Sequence, residues 1–438
     1  MSPWGRRVLI ALLLAGSAAG ARGAAPAASH VLIVMLDGTR PDALRRARAP
    51  AFERLARAGT EFVQAETVYP TQTRVAFVTL PTGAFPAGHG IVGGNDVKDA
   101  QWRTVPMGDD DPVAAQALVA RPTFFEAASA AGLTSLSAAM KGYELVGARG
   151  ATWTINGKHT LDQGAYATRY QPAVGGSAEA AAWRKEWLSR QLLDQALLIV
   201  RERRPNLVVI NLGAADYAGH AFGPESPYYL RTIEYQDALL GELVGAYGSL
   251  GLLDRTTVVI SADHGFSQVS TSRVVAPAGE GAGRQLAVLG ASGIENYVTN
   301  TGGTSMGVYV RDKARVKEAV AALRREPWCE SVYCEDAGAG CDRSLSSLRA
   351  FFPGRSPDLM VDLDDDAALN YPNPGQHGSA RPQDRRIPLV FSGAGVAAGR
   401  TAGKASLADV APTVVRLLGL PATGLRPDGR VLAEALAP

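Results

Sequence analysis

The chain has 438 residues, 46% of them hydrophobic and 20% charged, a balance that excludes intrinsic disorder, and its 48 glycines follow no three-residue period, which excludes a collagen-like fibre. Its 44 Lys and Arg against 42 Asp and Glu leave a formal charge of +2, too near zero for a general affinity for nucleic acid or anionic membrane, so any anion has to be bound at a local site. Six histidines are few enough that each can be asked where it goes.

At the start of the chain Arg6 and Arg7 precede an apolar run from Val8 to Ala15, followed by small residues up to Ala28. The pattern predicts a secretory signal peptide over residues 1–28, because about 8 to 10 apolar residues are too few to cross a ~30 Å hydrocarbon layer. A retained N-terminal anchor is the alternative. The expected location is periplasmic or secreted, with no membrane span in the mature chain.

Apolar runs at 31–36, 207–210, 258–260 and 387–391 end abruptly at Asp37, Asn211, Ser261 and Ser392. Continuous runs of this length suit strands covered on both faces. Between them the pattern predicts helices over 50–58, 123–131, 178–201, 228–247 and 406–418, the last with a capping-box-like Ser406 and Asp409. Strands alternating with helices predict an α/β fold, a doubly wound, mostly parallel sheet sandwiched by helices. Two stretches interrupt it. Residues 96–172, with Asp109-Asp110-Asp111 and several aromatics, read as loops over the strand ends. Residues 270–374 read as a small α+β insertion, with strands at 307–310 and 331–333 around a helix at 314–325, leaving 29–269 and 375–438 as the core. Within that insertion Cys329, Cys334 and Cys341 allow one pair to close a short loop while the third stays free, and a zinc knuckle is disfavoured for want of a nearby histidine. The Asp364-Asp365-Asp366 run reads as a solvated turn.

In a sheet of this kind ligands bind beyond the carboxyl ends of the strands. Asp37 follows the first run, Asp216 lies shortly after the second, and Asp263-His264 after the third. Asp216 and His220 are four residues apart, which brings them to one side of a helical turn or a compact loop. With His377 the set is three Asp and three His, donors in the proportion a two-zinc site uses. The hydroxyl-rich Thr67-Val68-Tyr69-Pro70-Thr71-Gln72-Thr73-Arg74 adds a threonine, a poor nucleophile unless a metal stabilises its alkoxide.

These segments occur in the order Leu36-Asp37-Gly38-Thr39, Tyr69-Pro70-Thr71-Gln72-Thr73, Gly88-His89-Gly90-Ile91, Asp216 to His220, Asp263-His264-Gly265 and Gln376-His377-Gly378. In that order the chain resembles the alkaline phosphatase superfamily, close to its nucleotide pyrophosphatase/phosphodiesterase (type I phosphodiesterase) and threonine-phosphatase branches. The resemblance implies two Zn2+ per chain, or other divalent ions: Asp216, His220 and His377 would hold one, and Asp37, Asp263 and His264 the other. It places the nucleophile at Thr73, beside the second metal, and gives Thr71 a turn-forming role and His89 a loop-holding one. Asn95, Arg74 and Lys141 are the implied substrate-binding residues, although the arginine expected two positions after the lysine is Tyr143, and Thr73-Arg74-Val75-Ala76 replaces the aromatic-Pro-Asn segment many relatives carry.

The expected function is a two-zinc phosphoric ester hydrolase acting on a small-molecule phosphate ester, a phosphodiesterase or nucleotide pyrophosphatase with a phospho-threonine intermediate. A threonine-type alkaline phosphomonoesterase is the alternative, and an inactive zinc-dependent binding protein the alternative from another class. The incomplete Lys/Arg pair favours the diester, and no nucleic-acid polymer is expected as a partner. Trp102, Trp153, Tyr143 and Tyr166 are candidates to stack a base or aryl group, or else loop core. His30 and His159 belong to no motif. The motifs carry no information on oligomeric state.

Overall fold

The computed structural model describes residues 27–108, 110–157, 178–270, 272–279, 284–335, 337–370, 372–421 and 424–438, with 178–183 by backbone alone. Residues 1–26 of the expected signal peptide, Asp109, His159 and Tyr166 lie outside them.

Eight strands form the main sheet: β1 (His30–Leu36), β2 (Thr60–Glu66), β3 (Ser135–Ala139), β4 (Trp153–Asn156), β5 (Leu207–Leu212), β6 (Thr256–Ser261) and, late in the chain, β11 (Leu389–Gly393) and β12 (Arg400–Ser406). Their spatial order is β12-β2-β11-β6-β1-β5-β3-β4. All run parallel except β11, which is antiparallel to both β6 and β2. The antiparallel strand departs from the parallel direction that its continuous apolar run suggested. Burial on both faces makes the same run in either direction, so the direction was not encoded in it.

The apolar run of β1 is explained by its two faces. Leu32, Val34 and Leu36 pack into one core with Phe52 and Leu55 of α1 (Pro50–Ala58), and with the apolar sides of α4 (Ala178–Arg203) and α6 (Pro227–Ser249). Val31, Ile33 and Met35 point the other way, toward α2 (Thr73–Thr82), α3 (Phe124–Ala130) and α8 (Val410–Leu417). Successive side chains of a strand alternate between faces, so every residue is apolar because every face is covered. The helix starts follow capping chemistry: Thr123 and Glu126 exchange hydrogen bonds at 3.1 and 2.9 Å, and Ser406 with Asp409 close the expected box on a single 3-10 turn that leads into α8.

Between β6 and β11 a second sheet forms from β7 (Asn296–Asn300), β8 (Ser305–Val310), β9 (Cys329–Cys334) and β10 (Leu359–Leu363), in the order β7-β8-β10-β9 with Arg343–Ser344 on the outer edge. Its own core packs Val298, Val308 and Val361 against α7 (Val316–Leu323). The chain leaves and re-enters the main body through a two-stranded ribbon in which Ser267 and Gln268 pair with Gln376 and Gly375. Cys334 and Cys341 form a disulfide and Cys329 is free and half-buried.

Candidate active site

Parallel strands put their carboxyl ends on one edge, and every expected ligand is found there. Asp37 directly follows β1. Asp216 and His220 sit on α5 (Ala214–Phe222), two residues beyond β5, one helical turn apart. Asp263 and His264 follow β6. Because β11 runs the other way, the segment before it arrives at the same edge and brings His377 with it. Thr73 opens α2, where the positive end of the helix dipole favours negative charge on its oxygen. At Gly38 the backbone takes φ +67°, and a Cβ there would lie 2.6 Å from the Phe266 ring. The glycine lets the chain turn so that its N–H donates to Asp263 Oδ1 at 3.0 Å, next to Asp37.

The donor atoms converge. One ligand atom each from Asp216, His220 and His377 lie within 4.8 Å of one another, and so do those from Asp37, Asp216 and His264. His264 Nε2 is 3.3 Å from Asp263 Oδ2 and 3.7 Å from Asp37 Oδ1. Asp216 therefore borders both groups, which its place in the sequence did not suggest. Each imidazole is oriented by a backbone carbonyl: His220 Nδ1 donates to Gly375 O at 2.9 Å, His264 Nδ1 to Gly265 O at 2.8 Å and His377 Nδ1 to Thr71 O at 2.7 Å. A carbonyl can only accept, so each Nδ1 carries a hydrogen and Nε2 is the nitrogen turned toward the carboxylates. Thr73 Oγ1 donates to His264 Nε2 at 3.2 Å.

Asp37 Oδ1, Asp216 Oδ1 and Asp263 Oδ2 are buried and, among the described residues, accept no hydrogen bond. Buried carboxylate oxygens without donors are strongly unfavourable. Lys141, buried beside them, donates to Asp37 Oδ2 at 3.1 Å and Asp216 Oδ2 at 2.7 Å. One ammonium against three carboxylates leaves a deficit of positive charge, and it shows in their ionisation. Burial and the neighbouring Asp263 carboxylate push Asp37 up to about 8. Burial also raises Asp263. Burial acts the same way on Asp216, but Lys141 and His220 outweigh it and hold that carboxyl well below the usual range. Burial, with His264 and His220 beside it, keeps His377 neutral far below its ordinary value. Orphaned carboxylate oxygens facing imidazole Nε2 atoms fit divalent cations, and the O/N donor set is one that zinc accepts.

A cavity of about 380 Å³ opens over these atoms, lined by Thr73, Arg74, Asn95, Lys141, Tyr143, Tyr217, His220 and His377 from the main body, and by Asn300, Gly302 and Gly303 from the turn between β7 and β8. A wider depression of about 930 Å³ shares Asn95, Lys141, Tyr143 and Tyr217 and is bounded by side chains between Asp96 and Leu118. Arg74 is buried, its Nη1 donates to Gly94 O, and its guanidinium stands 4.8 Å from the centre of the Tyr143 ring. Asn95 is exposed at the rim.

Of the described aromatic candidates Tyr143 lines the cavity, whereas Trp153 packs on the α4 side of the core from edge strand β4, and the Trp102 ring centre stands 5.8 Å from Arg311 and Lys313. Each covers apolar surface at the margin of the fold. His89 accepts from Ile91 N at 3.1 Å and bonds Thr79 Oγ1 at 3.0 Å, holding its loop as expected. His30 is buried against Ser29 Oγ at 2.9 Å. Missed in the sequence were Asn211, whose Nδ2 donates to Asp37 Oδ2 at 3.0 Å, and the depth of Lys141. Asn211 ends an apolar run just as Asp37 does on the neighbouring strand, a signal that was available.

The model of the type I phosphodiesterase / nucleotide pyrophosphatase family matches residues 31–381. Among curated relatives the chain is 27% identical over 274 residues to a bis(5'-adenosyl)-triphosphatase of Bos taurus, covering 61% of this chain and 55% of that protein. It spans about a quarter to about half of the length of the first curated relatives it matches. Among solved structures, the alkaline phosphatase PafA superposes with a TM-score of 0.74 at 17% identity, over 94% of this chain and 100% of that one. An inactive murine ectonucleotide pyrophosphatase/phosphodiesterase 5 in complex with AMP gives a TM-score of 0.70 at 18% identity, over 93% and 100%. These likenesses place the fold among alkaline-phosphatase-like folds.

Proposed function

The chain belongs to the type I phosphodiesterase / nucleotide pyrophosphatase family, and we propose that it is a metal-dependent phosphoric ester hydrolase, a phosphodiesterase or nucleotide pyrophosphatase acting through Thr73. The observation that carries this reading is the position of Thr73 Oγ1, at the start of a helix and 3.2 Å from His264 Nε2, beside carboxylate oxygens that have no donor among the described residues. Asp216, His220 and His377 would hold one zinc, and Asp37, Asp263 and His264 the other, next to Thr73. Bound there, two divalent ions would supply positive charge to the attacking and leaving oxygens of an in-line displacement at phosphorus.

The chain's own residues divide the remaining work. Thr73 Oγ attacks phosphorus, the bond to the leaving oxygen breaks, and a phospho-threonine forms. Water then attacks the same phosphorus, releasing phosphate product and restoring the hydroxyl. The carbonyls of Gly375, Gly265 and Thr71 keep the three imidazoles in the tautomer that presents Nε2. Lys141 holds the outer oxygens of Asp37 and Asp216, so their inner oxygens face the histidines. Arg74 and Asn95, on the cavity wall, are proposed to contact the phosphoryl oxygens.

The division of the chain into a core at 29–269 and 375–438 and a cap at 270–374 belongs to the same proposal, supported by the ribbon at Ser267–Gln268 and Gly375–Gln376. A periplasmic or secreted location is supported by the Cys334–Cys341 disulfide, which suits an oxidising compartment. Among the described residues no helix is long and apolar enough to cross a membrane.

One observation favours the phosphomonoesterase reading: Lys141 lines the cavity, placing an ammonium where a dianion would use it. The test is hydrolysis of a bis-aryl phosphate diester and the matching aryl monoester by zinc-replete protein and by Thr73→Ala. The diester should turn over faster, and Thr73→Ala should lower its kcat by about a thousandfold or more. A faster monoester would move the assignment to the phosphatase, and no turnover of either would overturn it.

A further inference from the structure

β10 reads Leu359-Met360-Val361-Asp362-Leu363, and every residue in it is buried. An apolar side chain at 362 would satisfy burial as its neighbours do, so the carboxylate is explained by what it binds. Its Oδ1 accepts from Tyr69 OH at 2.9 Å, and its Oδ2 from Tyr333 OH at 3.1 Å and Ala380 N at 2.8 Å. Tyr333 belongs to the same small sheet. Tyr69 and Ala380 do not: one lies four residues before Thr73, the other three residues after His377.

The two segments so gripped are also tied to each other at the site. His377 Nδ1 donates to Thr71 O at 2.7 Å, Gly378 N to Thr71 Oγ1 at 2.8 Å, and Thr71 Oγ1 to Ser379 O at 3.1 Å. A second insertion residue reinforces the grip, as Thr304 N donates to His377 O at 3.0 Å. Its hydroxyl and that of Ser379 donate to the buried Asp384 at 2.9 and 2.6 Å. A fully satisfied buried network of this kind specifies one arrangement of the segments it joins.

We propose that Asp362 is a positioning residue through which the small inserted sheet sets the Thr73 turn and the His377 segment relative to each other. The inference rests on the functional reading above for the identity of Thr73 and His377. It makes the insertion part of the catalytic apparatus and not merely a wall of the cavity. Asp362 does not line that cavity, so it acts through Tyr69 and Ala380.

The test uses the full chain with Tyr69→Phe, Asp362→Asn and, as a control, Tyr309→Phe. The last removes a buried hydroxyl whose bond to Arg355 O, 2.6 Å long, stays within the insertion. Tyr69→Phe should lower kcat for the diester about tenfold with KM within about twofold, while Tyr309→Phe, with a comparable loss of Tm, should leave kcat within about twofold. Titration of metal-stripped protein with zinc against a chromophoric chelator gives a readout independent of turnover, and Asp362→Asn should weaken binding of one zinc, the one proposed at Asp216, His220 and His377, about tenfold. An unchanged kcat in Tyr69→Phe, or an equal fall in Tyr309→Phe, overturns the positioning role. If the wild type hydrolyses nothing, the functional reading fails, and unchanged zinc affinity in Tyr69→Phe and Asp362→Asn then overturns the inference separately. Should Asp362→Asn not fold, Tyr69→Phe decides alone.

Discussion

At Lys141 a buried ammonium stands between Asp37 and Asp216, and the site's charge balance depends on it. Replacing it by methionine keeps the stem and deletes the charge, leaving the buried Asp216 carboxylate without its ammonium. Removing one partner of a buried ion pair costs about 3 to 5 kcal/mol. Lys141→Met should therefore be destabilised by roughly that amount in chelator, as read by urea denaturation, and by clearly less in zinc, where other positive charge is present. Equal losses in both conditions would mean that the carboxylates are not the metal ligands. His89 supports a prediction of opposite character. Burial holds its imidazole down to about 3 against an ordinary 6.5, so the unfolded chain takes up a proton below 6.5 that the folded one refuses. Stability present above pH 6.5 is lost as pH falls toward 3, by about 2 kcal/mol at pH 5 from this residue. His89→Gln, which can still donate an amide hydrogen but does not titrate, should lose less stability than the wild type between pH 7 and 5.

At the scale of elements, the turn that carries Gly94 and Asn95 is held from two sides. Arg74 donates to Gly94 O, and Gly94 N donates to Gln72 Oε1 at 3.0 Å. Gly94 has φ +77°, and a Cβ on it would stand 2.0 Å from Thr299 Oγ1 on β7. Gly94→Ala should cost about 1 to 3 kcal/mol and shift Asn95, lowering kcat while metal content stays that of the wild type, as checked by metal analysis beside steady-state rates. The sequence made this turn visible only as a glycine pair before an asparagine. By contrast, β1, β5 and β6 and the Asp37, Asp216, Asp263 and His264 that follow them were legible because a doubly covered strand and a carboxylate or imidazole beyond its end are both written locally. His377 was legible by its motif, but its route to the edge was not, since the antiparallel direction of β11 depends on pairing with β6 and β2. Lys141 was legible in identity and not in burial, because its neighbours Met140 and Gly142 give no sign of a charge turned inward.

For the molecule as a whole, the site is a junction. Its proposed ligands come from β1, α5, the end of β6 and the segment before β11, while Thr304 and Asp362 tie that segment to the small sheet. An ion that binds only where these parts meet stabilises the folded state by RT ln(1 + [L]/Kd), about 4 kcal/mol at a thousandfold excess over Kd. Because both sheets hold the His377 segment, that stabilisation should be felt by both. Calorimetry with zinc should show one transition whose Tm rises with the logarithm of free metal, and chelation should move that transition down without splitting it. A lower-temperature transition indifferent to zinc would show that the inserted sheet unfolds on its own. It would confine the metal's effect to the larger sheet, and the buried bonds of Asp362 would then be too weak to couple the two.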